Sequence, residues 1–293
     1  MSFSLDRPFQ ICYINNTQQN THGSGAVMNR SIVLFDMDGT LTESRQKFDS
    51  TTLSSSLVEL SKVADIGIVT GSDYNYLKEQ LSPLLNSSIR YCLHLLPCNG
   101  TKYYAPPEST DQDFKLVEEV SMQEELGKVS WRRLMEILVV RQLRASDFDI
   151  PLTGHFISAR GSMINWSPSG RNANNNERAR FMRFDKKYNF RKRNLSEIRT
   201  ELKSAMLDNV TIKLGGDTSF DIYPNGWDKT YALRYFEGQN VWFVGDRALS
   251  PNGNDYEIHK ACEPRSFHTE GPQQTVYIVQ SIIEKIKGDQ KCQ

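Results

Sequence analysis

The chain has 293 residues and carries 35 Lys+Arg against 35 Asp+Glu, so its formal net charge is zero. That balance gives no long-range pull on polyanions and speaks against nucleic acid as the main partner. No apolar run approaches the roughly 20 residues that cross a bilayer, and Cys12, Cys92, Cys98, Cys262 and Cys292 show no CxxC spacing, which fits a reducing, cytoplasmic compartment with most thiols inert.

Residues 1–29 form a polar extension; Gln10 to Gly25 is rich in Asn, Gln, Thr and Gly and is expected to be disordered. It lacks the basic and apolar regions of a secretory signal. Residues 31–36 read as a buried strand, Ser54 to Lys62 as a helix, Asp65 to Val69 as a second strand, Asp73 to Leu81 as a capped helix and Tyr91 to Leu96 as a third strand. Strands and helices alternating with short links predict a parallel α/β sheet. After Ala105-Pro106-Pro107 the pattern changes. Glu118 to Gly127 and Trp131 to Leu143 read as helices, and His155 to Ala159 and Met163 to Ser167 as a hairpin around Arg160-Gly161-Ser162. Asn176 to Phe184 and Leu195 to Leu207 are again helical, and Val210 to Leu214 pairs with Ser219 to Tyr223. Helices and antiparallel strands in separate runs predict an inserted α+β module. A helix from Trp227 and a strand over Val241 to Val244 then resume the first pattern. The expected division is a catalytic core over 30–112 and 227–293, with a cap over 113–226.

Asp36-Met37-Asp38-Gly39-Thr40 closes the first strand. Carboxylates two residues apart on an extended segment point the same way, at the strand end where open α/β sheets hold ligands. One can act as nucleophile and the other as proton donor, with a hard cation between them and a phosphate. A solvated turn is the plain alternative, since Asp and Gly favour turns. Thr70-Gly71-Ser72, Lys229, and Asp246 with Asn254-Asp255 follow at further strand or helix ends. Each has a bland reading alone; all four in this order are much less expected by chance.

This order resembles the haloacid-dehalogenase-like superfamily. Asp36 to Thr42 with Arg45-Gln46-Lys47 is similar to eukaryotic-type phosphomannomutases in particular. So are Gly154 to Arg171, Gly215-Gly216 with Ser219-Phe220-Asp221, Gly226-Trp227-Asp228-Lys229, and Gly245-Asp246 with Gly253-Asn254-Asp255. The resemblance covers about residues 31–260 and implies a Rossmann-like core with an α+β cap. It implies interconversion of α-D-mannose 1-phosphate and D-mannose 6-phosphate through an aspartyl phosphate and a hexose bisphosphate, feeding GDP-mannose synthesis. Asp36 is then the nucleophile and Asp38 the general acid/base, with Lys229, Thr70 and Ser72 stabilising the transferring group. Mg²⁺ falls to Asp36, the Asp38 carbonyl and Asp246, supported by Asn254 and Asp255. Arg45, Arg160, Arg171, Ser219 and Asp221 bind substrate, a hexose 1,6-bisphosphate is the activator, and a homodimer through the cap is expected.

Several positions depart from the family pattern. Thr153 stands where the family has arginine, Cys98 where it has glutamate, and Thr70 where it has glycine; the loop from Asp246 to Asp255 is one residue longer, and His259 and Ala261 replace a second-cation loop. A Mg²⁺-dependent sugar-phosphate phosphatase and a non-catalytic sugar-phosphate-binding protein therefore stay open beside the mutase. The basic run from Arg178 to Arg193 is interrupted by Glu177 and Asp185 and reads as a solvated helix face.

Overall fold

The computed structural model describes residues 30–291; the extension over 1–29 lies outside the described residues. In chain order the first unit contains β1 (Ser31–Phe35), α1 (Ser50–Ser61), β2 (Ala64–Val69), α2 (Tyr74–Gln80), the one-turn α3 (Ser82–Leu85), β3 (Leu93–Leu96), β4 (Lys102–Ala105) and β5 (Lys115–Glu119). The insertion follows with α4 (Met122–Ala145), β6 (Ile157–Ala159), β7 (Ile164–Trp166), α5 (Asn175–Tyr188), α6 (Phe190–Ser204), β8 (Val210–Gly215) and β9 (Ser219–Pro224). The chain returns through a 3₁₀ segment, Lys229–Phe236, to β10 (Val241–Gly245), α7 (Tyr256–Ala261), β11 (Ser266–His268) and α8 (Pro272–Lys291).

The larger sheet runs β11-β10-β1-β2-β3-β4-β5. It is parallel from β11 to β3 and antiparallel from β3 to β5. Alternation along β1 explains why it reads as a solid apolar run. Val33 and Phe35 pack into one core cluster with α1 and α8, while Ile32 and Leu34 pack into another with Phe236 and Ile258. A strand covered on both faces needs apolar residues on both. From β1 the chain winds outward through β2 and β3 on one side and returns as β10 on the other, so the gap between β1 and β10 is the sheet's switch point. The second sheet, β6-β7-β9-β8, is antiparallel and packs its apolar face on α4, α5 and α6 around Trp166, Phe181, Phe190 and Phe220.

Some expected boundaries move. The helix expected from Glu118 starts instead at Met122, because Lys115–Glu119 is edge strand β5, bonded to β4 in the larger sheet. Its mostly exposed residues leave no alternating apolar signature. The chain thus leaves the larger sheet after Glu119, not at 112. The side chain of Ser121 then caps α4, and the expected break between two helices contracts to a kink at Gly127, φ +72°. α1 starts four residues early because Asp49 caps it, accepting from Thr51 N–H at 2.9 Å. At the far end of the chain, Val279, Ile282 and Ile286 of α8 join the α1 side of the core, and Thr275 Oγ1 donates to the Thr40 carbonyl at 2.9 Å.

Candidate active site

Asp36 is the first residue beyond β1, and its N–H donates to Val244 O of β10 at 2.9 Å, which sets the loop from Asp36 across the switch point. Asp246 follows β10 directly. The two loops meet so closely that a Cβ on Gly39, whose φ is +81°, would lie 2.6 Å from Asp246 Oδ2; only glycine meets both demands. Oxygens of Asp36, Asp246 and Asp255 all lie within 4.8 Å of one another. Lys229, 1% exposed, points Nζ at Asp36 Oδ1 and Asp255 Oδ1, 2.5 Å from each. The second Asp255 oxygen accepts Arg247 N–H at 3.0 Å, so Asp255 is spent on fixing Lys229 and the Asp246 loop.

Three carboxylates gather around one buried ammonium, and the titration of Asp36 and Asp246 reflects it. Burial raises Asp36 well above the carboxylate range; Lys229 opposes that rise, and the charges of Asp255 and Asp246 add to it. Burial and then Asp255 push Asp246 up to about 6. Burial alone would lower Lys229, but Asp255 and Asp36 outweigh it and hold the ammonium above its ordinary value. Asp246 Oδ1 and Asn254 Oδ1 are buried and have no hydrogen-bond partner among the described residues. Surplus negative charge and unpartnered hard oxygens fit a divalent cation such as Mg²⁺.

Asp38 faces the same cavity. Its Oδ1 accepts the Arg45 N–H at 2.8 Å and the Tyr76 hydroxyl at 3.3 Å. Burial, then the Asp38 charge, raises the Tyr76 phenol well above its ordinary value, so it stays a donor. Thr70 ends β2, buried, with Oγ1 accepting Ser72 N–H at 3.1 Å. That turn role does not remove either hydroxyl from the site: Thr70 and Ser72 both line the cavity.

The opposite wall comes from the insertion. Arg160, on the β6–β7 turn, reaches Gly71 O, and Arg171 Nη1 donates to Asn165 Oδ1 at 3.0 Å. Asn165 Nδ2 in turn reaches Ser219 Oγ at 3.0 Å and Asp221 Oδ1 at 2.7 Å. Burial first, then Arg160 and Arg45, lowers Arg171 to about 10. Such crowding of cations is relieved by a dianion. Arg178 also enters the cavity, held by Thr218 Oγ1 at 3.0 Å. Two ion pairs tie the β8–β9 hairpin to the larger unit: Arg247 Nη2 to Asp217 Oδ1 at 2.9 Å and Lys213 Nζ to Glu257 Oε1 at 2.6 Å. The cavity between the two walls is about 230 Å³, room for one small ligand.

Asp36, Asp38, Thr70, Ser72, Arg45, Arg160, Arg171, Ser219, Asp221, Asp246 and Asn254 all line this cavity, with Lys229 and Asp255 directly behind Asp36. Thr153 does not line it; its hydroxyl donates to Ser169 O at 2.8 Å. Sequence reasoning missed Tyr76, Arg178 and Arg247, and gave Asn165 no job. The solvated-face reading of the basic run fails at its first member, because Arg178 sits one turn into α5 on the side turned to the cavity. Arg191 is also drawn inward, to Asp185 at 2.7 Å. Helical spacing from the Asn174 cap placed Arg178 near the helix start, where anion-facing residues gather.

A family profile described as eukaryotic phosphomannomutase matches residues 53–285; the Asp36–Asp38 motif lies just before that span. A phosphomannomutase of Encephalitozoon cuniculi is 36% identical over 261 residues, covering 88% of this chain and 95% of its own. One from Arabidopsis thaliana is 36% identical over 247 residues, 84% of this chain and 93% of its own. Among solved structures, an IMP-nucleotidase of Plasmodium falciparum aligns with a TM-score of 0.62 at 18% identity, covering 87% of this chain and 68% of that one, a likeness of fold. With most of its length matched by that profile and by these relatives, the chain belongs to the eukaryotic phosphomannomutase family.

Proposed function

We propose that this protein is a phosphomannomutase, interconverting α-D-mannose 1-phosphate and D-mannose 6-phosphate and so supplying GDP-mannose synthesis. The observation that carries the reading is one cavity lined by Asp36 and Asp38 at one end and by Arg160, Arg171 and Arg178 at the other. A phosphatase needs only the first end. A mutase must also hold the phosphate that is not reacting, while the sugar is presented in two orientations.

In this reading Asp36 attacks phosphorus, and the bond from phosphorus to the sugar oxygen breaks. Asp38 gives its proton to that oxygen. Lys229 keeps Asp36 ionised and aimed, and Thr70 and Ser72 donate to the phosphoryl oxygens. Asp36, Asp246 and the Asp38 carbonyl, with Asn254 and Asp255 in support, would hold Mg²⁺, which would supply charge neutralisation between two anions. Arg160 and Arg171 grip the distal phosphate with their planar forks, Arg45 assists, and Ser219 and Asp221 bind sugar hydroxyls. The aspartyl phosphate is passed to the free hydroxyl of a hexose monophosphate, which gives its proton to Asp38 as the bond from phosphorus to Asp36 breaks; the bisphosphate so formed turns, and Asp36 takes its other phosphoryl group to release the isomer. The ion pairs between the β8–β9 hairpin and the larger unit favour closing the cleft around substrate, which would keep water away from the aspartyl phosphate. A homodimer through the cap is part of the proposal; exposed Val129, Val140 and Leu143 recur on one stripe of α4 and support it.

The test supplies mannose 1-phosphate, Mg²⁺ and a catalytic amount of glucose 1,6-bisphosphate, and quantifies mannose 6-phosphate against free phosphate. Isomer in large excess is expected. Phosphate without isomer would favour the sugar-phosphate phosphatase, which Thr70 supports because threonine there is usual in hydrolase relatives.

A further inference from the structure

The two carboxylate oxygens of Asp38 are not equivalent. Both donors that reach the group converge on Oδ1: the Arg45 backbone N–H at 2.8 Å and the Tyr76 hydroxyl at 3.3 Å. Neither donor is free to wander. Arg45 holds its N–H in place through a left-handed backbone, φ +60°. Tyr76 sits in the first turn of α2, where its own N–H is bonded to the capping Asp73 Oδ1 at 2.9 Å, and its ring packs against the buried core beside α2. A carboxyl group turns readily about its last torsion, so one that must exchange protons needs a reason to offer the same oxygen each time.

We propose that Tyr76 is a positioning residue for phosphoryl transfer: together with the Arg45 N–H it pins Oδ1 of Asp38 and reserves Oδ2 for the proton. This rests on the reading of Asp38 as the acid/base. A backbone N–H only donates, and a phenol near neutral pH carries its proton. A proton on Oδ1 would face two donors, whereas a proton on Oδ2 leaves both bonds intact. In the first half-reaction the Oδ2 proton passes to the leaving sugar oxygen, which takes the electron pair of the broken P–O bond, and Asp38 becomes a carboxylate. In the second, the incoming hydroxyl gives its proton to Oδ2 as its oxygen bonds to phosphorus and the bond from phosphorus to Asp36 breaks, its electron pair returning to the Asp36 carboxylate. Tyr76 keeps its proton throughout.

Tyr76→Phe keeps the ring and removes the donor. Its kcat on mannose 1-phosphate should fall about tenfold, the size of effect expected for losing one hydrogen bond to a charged group, with KM changed less than twofold. With 4-nitrophenyl phosphate, whose leaving group departs without a proton, the first-turnover release of nitrophenolate should change less than twofold. Asp38→Asn, run alongside, should show the same selectivity in stronger form. Full kcat in Tyr76→Phe while Asp38→Asn is impaired overturns the Tyr76 proposal alone. Equal losses on both substrates also overturn it, since they would mean a general structural role. Full sugar-phosphate turnover in Asp38→Asn overturns the acid/base reading, and the Tyr76 proposal with it.

Discussion

Lys229 stabilises a cluster that would otherwise repel itself. It is the ammonium that reaches both Asp36 and Asp255, and all three are nearly inaccessible to solvent. Lys229→Met keeps most of the volume and removes the charge, leaving two buried carboxylates unpaired; breaking a buried pair from one side costs about 3 kcal/mol or more. Urea denaturation at pH 7.5 should show that loss. The loss should shrink at pH 5, because Asp36 already titrates well above the usual range and can neutralise itself there. Lys229 and the acidic motifs were legible in the sequence because each closes an apolar strand or opens a helix after a turn. Tyr76 was not, since its function depends on which loop α2 faces, and a tyrosine at helical spacing reads as core. Asn165 was visible inside a matching segment, but its job as the hub between Arg171, Ser219 and Asp221 exists only once β7 lies beside β9.

At the level of elements, the β8–β9 hairpin acts as a latch. Arg247 pairs with Asp217 and also donates to Gly216 O at 2.9 Å, while Lys213 pairs with Glu257. These partly exposed contacts are each worth about 0.2–1 kcal/mol, enough to bias closure without locking it. Asp217→Ala should increase the share of phosphoryl groups lost to water. The check is the ratio of free phosphate to mannose 6-phosphate, expected to rise about threefold, the factor that about 0.6 kcal/mol gives, with the wild-type ratio also rising as salt screens the pairs. An unchanged ratio would mean that the latch plays no part in excluding water. Most helices and both hairpins could be read from periodicity. Edge strand β5 could not, because an exposed edge carries neither the apolar run of β1 nor a clean alternation.

Across the whole molecule, the switch point between β1 and β10 gathers negative charge that the fold alone does not neutralise. Burial and neighbouring carboxylates raise Asp246 to about 6, from an ordinary value near 3.8. In that window the folded state holds a proton that the unfolded chain has released, so this group's contribution to stability falls as pH rises through it. A divalent cation competes with that proton. Added Mg²⁺ should therefore raise the thermal midpoint more at pH 7.5 than at pH 5; an equal gain at both would argue that Asp246 is not a ligand. The parallel sheet was foreseeable from alternating strands and helices. The adjacency of β1 and β10 was not visible in local pattern, since more than a hundred intervening residues separate them, and it was the motif order that pointed to it.

The bond from Thr275 Oγ1 to the Thr40 carbonyl reaches from the first turn of α8 to the loop that carries Asp36 and Asp38. The ribosome makes that loop well before α8, since Thr40 and Thr275 lie 235 positions apart. The nascent polypeptide thus holds Asp36 and Asp38 long before it holds the strut that seats their loop, and competence for phosphoryl transfer waits on α8.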